Sequence, residues 1–211
     1  MKVAMIHLQE PDSHILYTYY TKQLHGYVEN LIRRFYRQYS DGEPDWTKID
    51  IMHAWGGRNV EGVYYNTCID NHIPPKSFGA VKSYGKEAFN KVCESLKDYE
   101  LKESYDYSII DEGQDFPIYF YRLCCRITKN KRVVWGYDEC QNILDIKIQD
   151  TKETFGKNAS GIPYVDFSER VIPDQDLVLY KCYRNPGLGT KSPYIYQYVN
   201  QCDGKCYCDL V

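Results

Sequence analysis

Tyr107-Ser108-Ile109-Ile110-Asp111-Glu112 is a short apolar run that ends in carboxylates, and Gly113-Gln114-Asp115 follow at once. A run of this kind reads as a strand buried on both faces, the mark of a parallel sheet. Open α/β sheets gather their ligands at the carboxyl ends of the strands. Asp111 and Glu112 stand at such an end. Pro117 fits the first turn of a helix running to about Ile127. Another buried strand is expected over residues 131–137 (KRVVWGY), and a last one over 177–183 (LVLYKCY).

Upstream, residues 1–10 read as the tail of a helix stopped by Pro11. Residues 14–21 (HILYTYYT) are rich in β-branched and aromatic side chains and predict a strand. Residues 22–39 place Leu24, Tyr27, Val28, Leu31, Ile32, Phe35 and Tyr39 at steps of three and four, one face of an amphipathic helix. Residues 48–55 (KIDIMHAW) alternate like a strand and stop at Gly56-Gly57. Residues 59–71 and 84–99 read as helices on either side of a Pro74-Pro75 loop. Strands alternating with helices predict an α/β fold, a mostly parallel sheet flanked by helices. From Gly187 to Val211 no helical or strand period is evident, and an irregular or disordered tail rich in Cys and Tyr is expected.

Composition sets the outer bounds. Of 211 residues, 43% are apolar and 26% charged, as in a globular protein. The net charge of −3 gives no global basic field, so any nucleic-acid contact must rest on a local patch. No apolar run approaches the roughly 20 residues that span a bilayer. The first ten residues do not form a secretion signal, and a cytoplasmic protein without a membrane partner is expected. Of nine cysteines, the six in apolar contexts read as reduced core thiols. Cys202, Cys206 and Cys208 supply three ligands where structural zinc takes four. The 22 tyrosines are expected mostly in the core and at its rim.

An apolar strand ending in Asp-Glu suits nucleotide hydrolysis. The Asp can hold Mg²⁺, directly or through water, and the next carboxylate can polarise an attacking water. Two further polar clusters follow strands: Gly136-Tyr137-Asp138-Glu139-Cys140-Gln141, and Arg184-Asn185-Pro186. All three are expected at successive strand ends on one edge. A metal-dependent nuclease built on Asp106, Asp111, Glu112 and Asp115 is disfavoured, because no Lys or His lies between Tyr105 and Arg122.

These clusters carry a resemblance. Residues 111–115 resemble motif II of the UvrD/Rep-like superfamily 1 DNA helicases, Asp-Glu-x-Gln-Asp. Residues 138–141 are similar to motif III, Gly-Asp-x-x-Gln, with Tyr137 inserted after Gly136. Tyr183-Arg184-Asn185 resembles motif IV. Residues 16–21 (LYTYYT) resemble motif Ia, and His53-Ala54-Trp55 resembles motif Ib. The five stand in family order over residues 1–186.

The resemblance implies a partial RecA-like motor domain over 1–186, with the tail at 187–211. It implies ATP and Mg²⁺, with Asp111 on the metal and Glu112 as the base for water. Gln141 and Arg184 would face the γ-phosphate. Gln114, Asp138 and Tyr183 would belong to the nucleotide site. Thr18, Tyr19, Tyr20, Thr21, His53 and Trp55 would meet single-stranded DNA. The sequence departs from the family in one respect that matters most. None of Gly85-Lys86, Gly156-Lys157 and Gly204-Lys205 sits in Gly-x-x-x-x-Gly-Lys-Ser/Thr, the loop that cradles phosphates. In the family that loop precedes motif Ia at the start of a helix. The chain is therefore expected to begin just after it, to lack the second motor domain, and to be inactive without the missing remainder. The alternative is a non-catalytic module, binding nucleic acid or a partner on a helicase scaffold.

Overall fold

The computed structural model describes residues 1–20, 25–138, 150–158, 160–165, 176–179 and 194–199. Helix α1 (Lys2–Gln9) leads into strand β1 (Ile15–Tyr19). Helix α2 (His25–Tyr36) and strand β2 (Ile49–His53) follow. Then come α3 (Val63–Asp70), α4 (Phe78–Val81) and α5 (Ala88–Glu94). Strand β3 (Tyr107–Ile110) ends at the 3₁₀ turn Gly113–Asp115, and α6 (Ile118–Ile127) leads to β4 (Val133–Asp138). The short helix α7 (Thr151–Phe155) and strands β5 (Asp176–Leu179) and β6 (Tyr194–Val199) complete the set.

The sheet order is β2-β1-β3-β4-β6-β5. Its first four strands are parallel, with Thr18 level with both Met52 and Ile110, and Ile110 level with Trp135. Successive strand residues face opposite sides of a sheet. Ile15, Ile49, Ile51, Ile109 and Val134 accordingly join Val3, Ile6, Val28 and Ile32 in one core, under α1 and α2. Leu16, Met52, Ile110 and Trp135 join Val63, Val92, Phe120 and Leu123 in the other, under α3, α5 and α6. A sheet covered on both faces explains why these strands read as continuous apolar runs. The α/β architecture with a parallel sheet between helices is as expected.

Several boundaries differ, for local reasons. The helix expected over 59–71 starts only at Val63. Before it, Gly57 and Val60 exchange backbone hydrogen bonds, and Gly62 lies against Gly56 so tightly that a Cβ there would overlap its backbone. The helix expected over 84–99 starts only at Ala88, because Gly85 turns at φ +54° and interrupts helical geometry, and it ends at Glu94. The tail expected to be irregular contains β6, Tyr194–Val199, antiparallel to β4 and β5. This run (YIYQYV) consists mostly of strand-forming residues, and it pairs the otherwise open edge of β4. It also separates β5 from β4. The expectation of three neighbouring strand ends is therefore corrected: β3 and β4 are adjacent, and β5 lies two places further out.

Cys68, Cys93, Cys124 and Cys125 are buried free thiols, as the composition led one to expect. Burial raises each of them, Cys125 to about 12, so they are packing groups and not nucleophiles. Cys202, Cys206 and Cys208 lie outside the described residues. Among the described residues no helix is long and apolar enough to cross a membrane.

Candidate functional site

Asp111 follows the last residue of β3, and its backbone N–H still donates to the Thr18 carbonyl of β1 at 2.9 Å. Tyr17 is level with Ile109, and Asp111 lies two residues beyond it, so the two side chains share a face of the sheet. The Tyr17 hydroxyl donates to Asp111 Oδ2, and the Glu112 N–H donates to Oδ1 at 3.1 Å. Burial nevertheless pushes the Asp111 carboxyl above the usual carboxylate range. The Tyr17 hydrogen bond opposes that shift, and the Glu112 charge adds to it. The amino end of α1 is on the same side. Its Met1 ammonium is lowered to about 6 by burial, against the pull of Asp111.

Glu112 turns into the left-handed region at φ 53°, ψ 49°. Few non-glycine residues adopt that conformation, and it persists only where surrounding contacts hold it. Here Gln114, itself buried, donates from Nε2 to Glu112 Oε2 at 2.6 Å. Gly113 carries the turn under a close lid: the Tyr121 hydroxyl donates to its carbonyl at 2.7 Å. Asp115 follows, with Oδ1 buried and unpartnered among the described residues. Its carboxyl is also raised, by burial and then by Glu112. Of the three carboxylates within these five residues, Asp111 is thus anchored to the sheet and Glu112 is aimed by an amide.

The residues present fit one hard cation better than a closed protein cage. No group of three or more His, Cys, Asp or Glu gathers as a metal site among the described residues. Mg²⁺ wants only one or two carboxylates and keeps several waters. Asp111 can supply that ligand.

The residues expected at single-stranded DNA divide. Thr18 is wholly buried and Tyr19 lies in the core under α2, so neither offers a face to a base. Burial raises the Tyr19 hydroxyl. Tyr20 is 37% exposed and meets Phe116 edge-on at 5.7 Å. His53 is buried at the end of β2 and accepts from the Trp55 N–H at Nδ1, 2.9 Å. A neutral imidazole has one acceptor nitrogen, so the longer 3.3 Å approach of the Gly56 N–H to Nε2 is a contact only. Trp55 is half-buried, stacked on Phe89 at 5.2 Å.

Thr21, Gln141, Tyr183 and Arg184 lie outside the described residues, as does the side chain of Asp138. Nothing therefore places the expected γ-phosphate contacts beside Glu112. Sequence reasoning missed Tyr17 and Tyr121, which hold the loop. Only the strand register, or the packing of α6, identifies them. It also missed Phe78, exposed and edge-on to Trp55 at 5.6 Å.

No protein-family model, no curated protein and no solved structure matches the chain.

Proposed function

We propose that the chain carries part of a RecA-like motor domain of a UvrD/Rep-like superfamily 1 helicase, which couples ATP hydrolysis to movement on single-stranded DNA. The observation that carries the reading is the arrangement of Asp111, Glu112 and Gln114 at the carboxyl end of a central parallel strand. Motif II of that family asks for these residue types at that spacing. The amino end of α1 beside Asp111 supports it, since the family's phosphate loop leads into a helix at this place.

Asp111 would hold Mg²⁺, which supplies charge neutralisation to bound phosphates. Glu112, oriented by the Gln114 amide, is placed to accept a proton from water. Gln114 therefore ties the position of the base to the loop that Tyr121 clamps. The partners of this reading are single-stranded DNA and the remainder of the motor.

Because these 211 residues contain no phosphate-cradling loop, the purified chain is expected to release phosphate from Mg-ATP at background rate, with or without oligothymidine. Phosphate release assays on the wild type and Glu112→Gln check this. Turnover well above background that disappears in Glu112→Gln would contradict the incomplete-motor reading.

The second reading, a non-catalytic nucleic-acid module on the same scaffold, draws on Phe78, exposed and edge-on to Trp55. Under it, oligonucleotide binding is indifferent to Mg²⁺ and to Asp111→Asn.

A further inference from the structure

Residues 76–86 (KSFGAVKSYGK) form a strap between α3 and α5. Ser77 caps its short helix by accepting from the Ala80 N–H at 3.3 Å. Val81 is buried and pins the strap to the core. Gly85, at φ +54° with open space around it, reverses the chain before α5. Nearly everything else points outward. Phe78 is 59% exposed and Tyr84 is 54% exposed. Large rings left in water at this level are informative when they cluster with a charge pattern.

The charge pattern is one-sided. Lys76, Lys82 and Lys86 are exposed, and no carboxylate occurs between Asp70 and Glu87. Among the described residues none of the three lysines forms an ion pair. In a chain of net charge −3 this is a local cationic surface. Its place matters too. Phe78 touches Trp55, which follows β2, while Tyr20 and Asp111 follow the parallel strands β1 and β3. The strap therefore lies at the same edge of the sheet as the carboxylate loop. A series of ring contacts joins them: Trp55 to Phe89, Phe89 to Phe120 at 5.2 Å, Phe120 to Phe116 at 4.5 Å, and Phe116 to Tyr20.

We infer that the strap is a binding surface for single-stranded nucleic acid, with bases stacking on Phe78 and Tyr84 and phosphates paired to Lys76, Lys82 and Lys86. This rests on the single-strand reading above and assigns it to residues outside the helicase-like motifs. Unstacked bases offer the π-faces that exposed rings take, and the phosphate spine offers the charge that unpaired lysines take. Base pairs within a duplex do not offer those faces. Of the five residues between the rings, Val81 is buried and Lys82 and Ser83 are exposed, so polar groups break the apolar surface that a second copy of the chain would need.

Fluorescence anisotropy of a labelled 20-mer oligothymidine, titrated with the full 211-residue chain over a range of salt, tests this. Wild type is expected to bind the single strand more tightly than a duplex of equal length. Phe78→Ala/Tyr84→Ala is expected to weaken binding at least about tenfold with the salt slope unchanged. Lys82→Gln/Lys86→Gln is expected to lower the slope of log affinity against log salt by about 1.4, two single-strand phosphate contacts. All substituted positions are exposed, and among the described residues only Phe78 meets another ring, so unfolding midpoints should stay close to wild type. Wild-type binding that survives both double variants overturns the strap assignment and leaves the single-strand reading standing. No wild-type binding, or a preference for duplex, overturns both. A wild-type dimer in sedimentation that Phe78→Ala/Tyr84→Ala disperses, with oligothymidine binding unchanged, would assign the strap to a second copy and overturn the proposal.

Discussion

Phe120→Ala is expected to destabilise the chain by ~3–5 kcal/mol, the range for removing a buried phenyl group without full collapse of the cavity. Phe120 is 0% exposed. It stacks on Phe116 at 4.5 Å and 24°, and lies 5.2 Å from Phe89. It is thus the point where α6, α5 and the turn after the carboxylate loop meet. Domains of this kind have total stabilities of about 5–15 kcal/mol, so the loss is a large share. Denaturant unfolding should show a much lower midpoint with an unchanged slope. A cost below about 1 kcal/mol would mean that α6 does not pack as described.

The second large effect is at Gly113. A Cβ there would collide with the Tyr121 hydroxyl and come within 3.2 Å of the Gly136 carbonyl oxygen. Tyr121 cannot swing away cheaply, because its ring is held edge-on by Trp135 and by Phe155, each at 6.0 Å. Gly113→Ala should therefore combine overpacking, about 1–3 kcal/mol, with damage to a buried hydrogen bond, about 1–3 kcal/mol. Tyr121→Phe removes the colliding oxygen. The double variant Gly113→Ala/Tyr121→Phe should be more stable than the sum of the single losses, by ~1 kcal/mol or more. Additive losses in that cycle would remove Tyr121 as the clamp on the loop.

Ile109, Ile110, Val133 and Val134 announced buried parallel strands, because a sheet covered on both faces leaves an apolar run. Tyr194–Val199 was hidden in a stretch full of Tyr, Cys and Gly, and its role depends on the open edge of β4. Gly62 against Gly56 and the turn at Gly85 shortened two helices for reasons no periodicity contains. In the site, Asp111, Glu112 and Gln114 were legible because they fall within four residues and interact locally. Tyr17 was not, since its contact with Asp111 spans 94 residues and follows from strand register. Alternation could not say that α2 covers Tyr19 while Tyr20 remains partly exposed, because which face a helix covers is decided by packing.

Asp111 is a carboxylate that folding holds at a cost, raised by burial despite two hydrogen bonds. Such groups gather at functional sites, where charge is placed for a ligand and not for stability. The most direct measurement is amide NMR of the ¹⁵N-labelled chain titrated with Mn²⁺, which shares the oxygen preference of Mg²⁺. The account predicts that signals of residues 111–115 and of Thr18 broaden first, and that Asp111→Asn removes the effect. Broadening that starts elsewhere, or that persists in Asp111→Asn, would contradict a cation site at the end of β3.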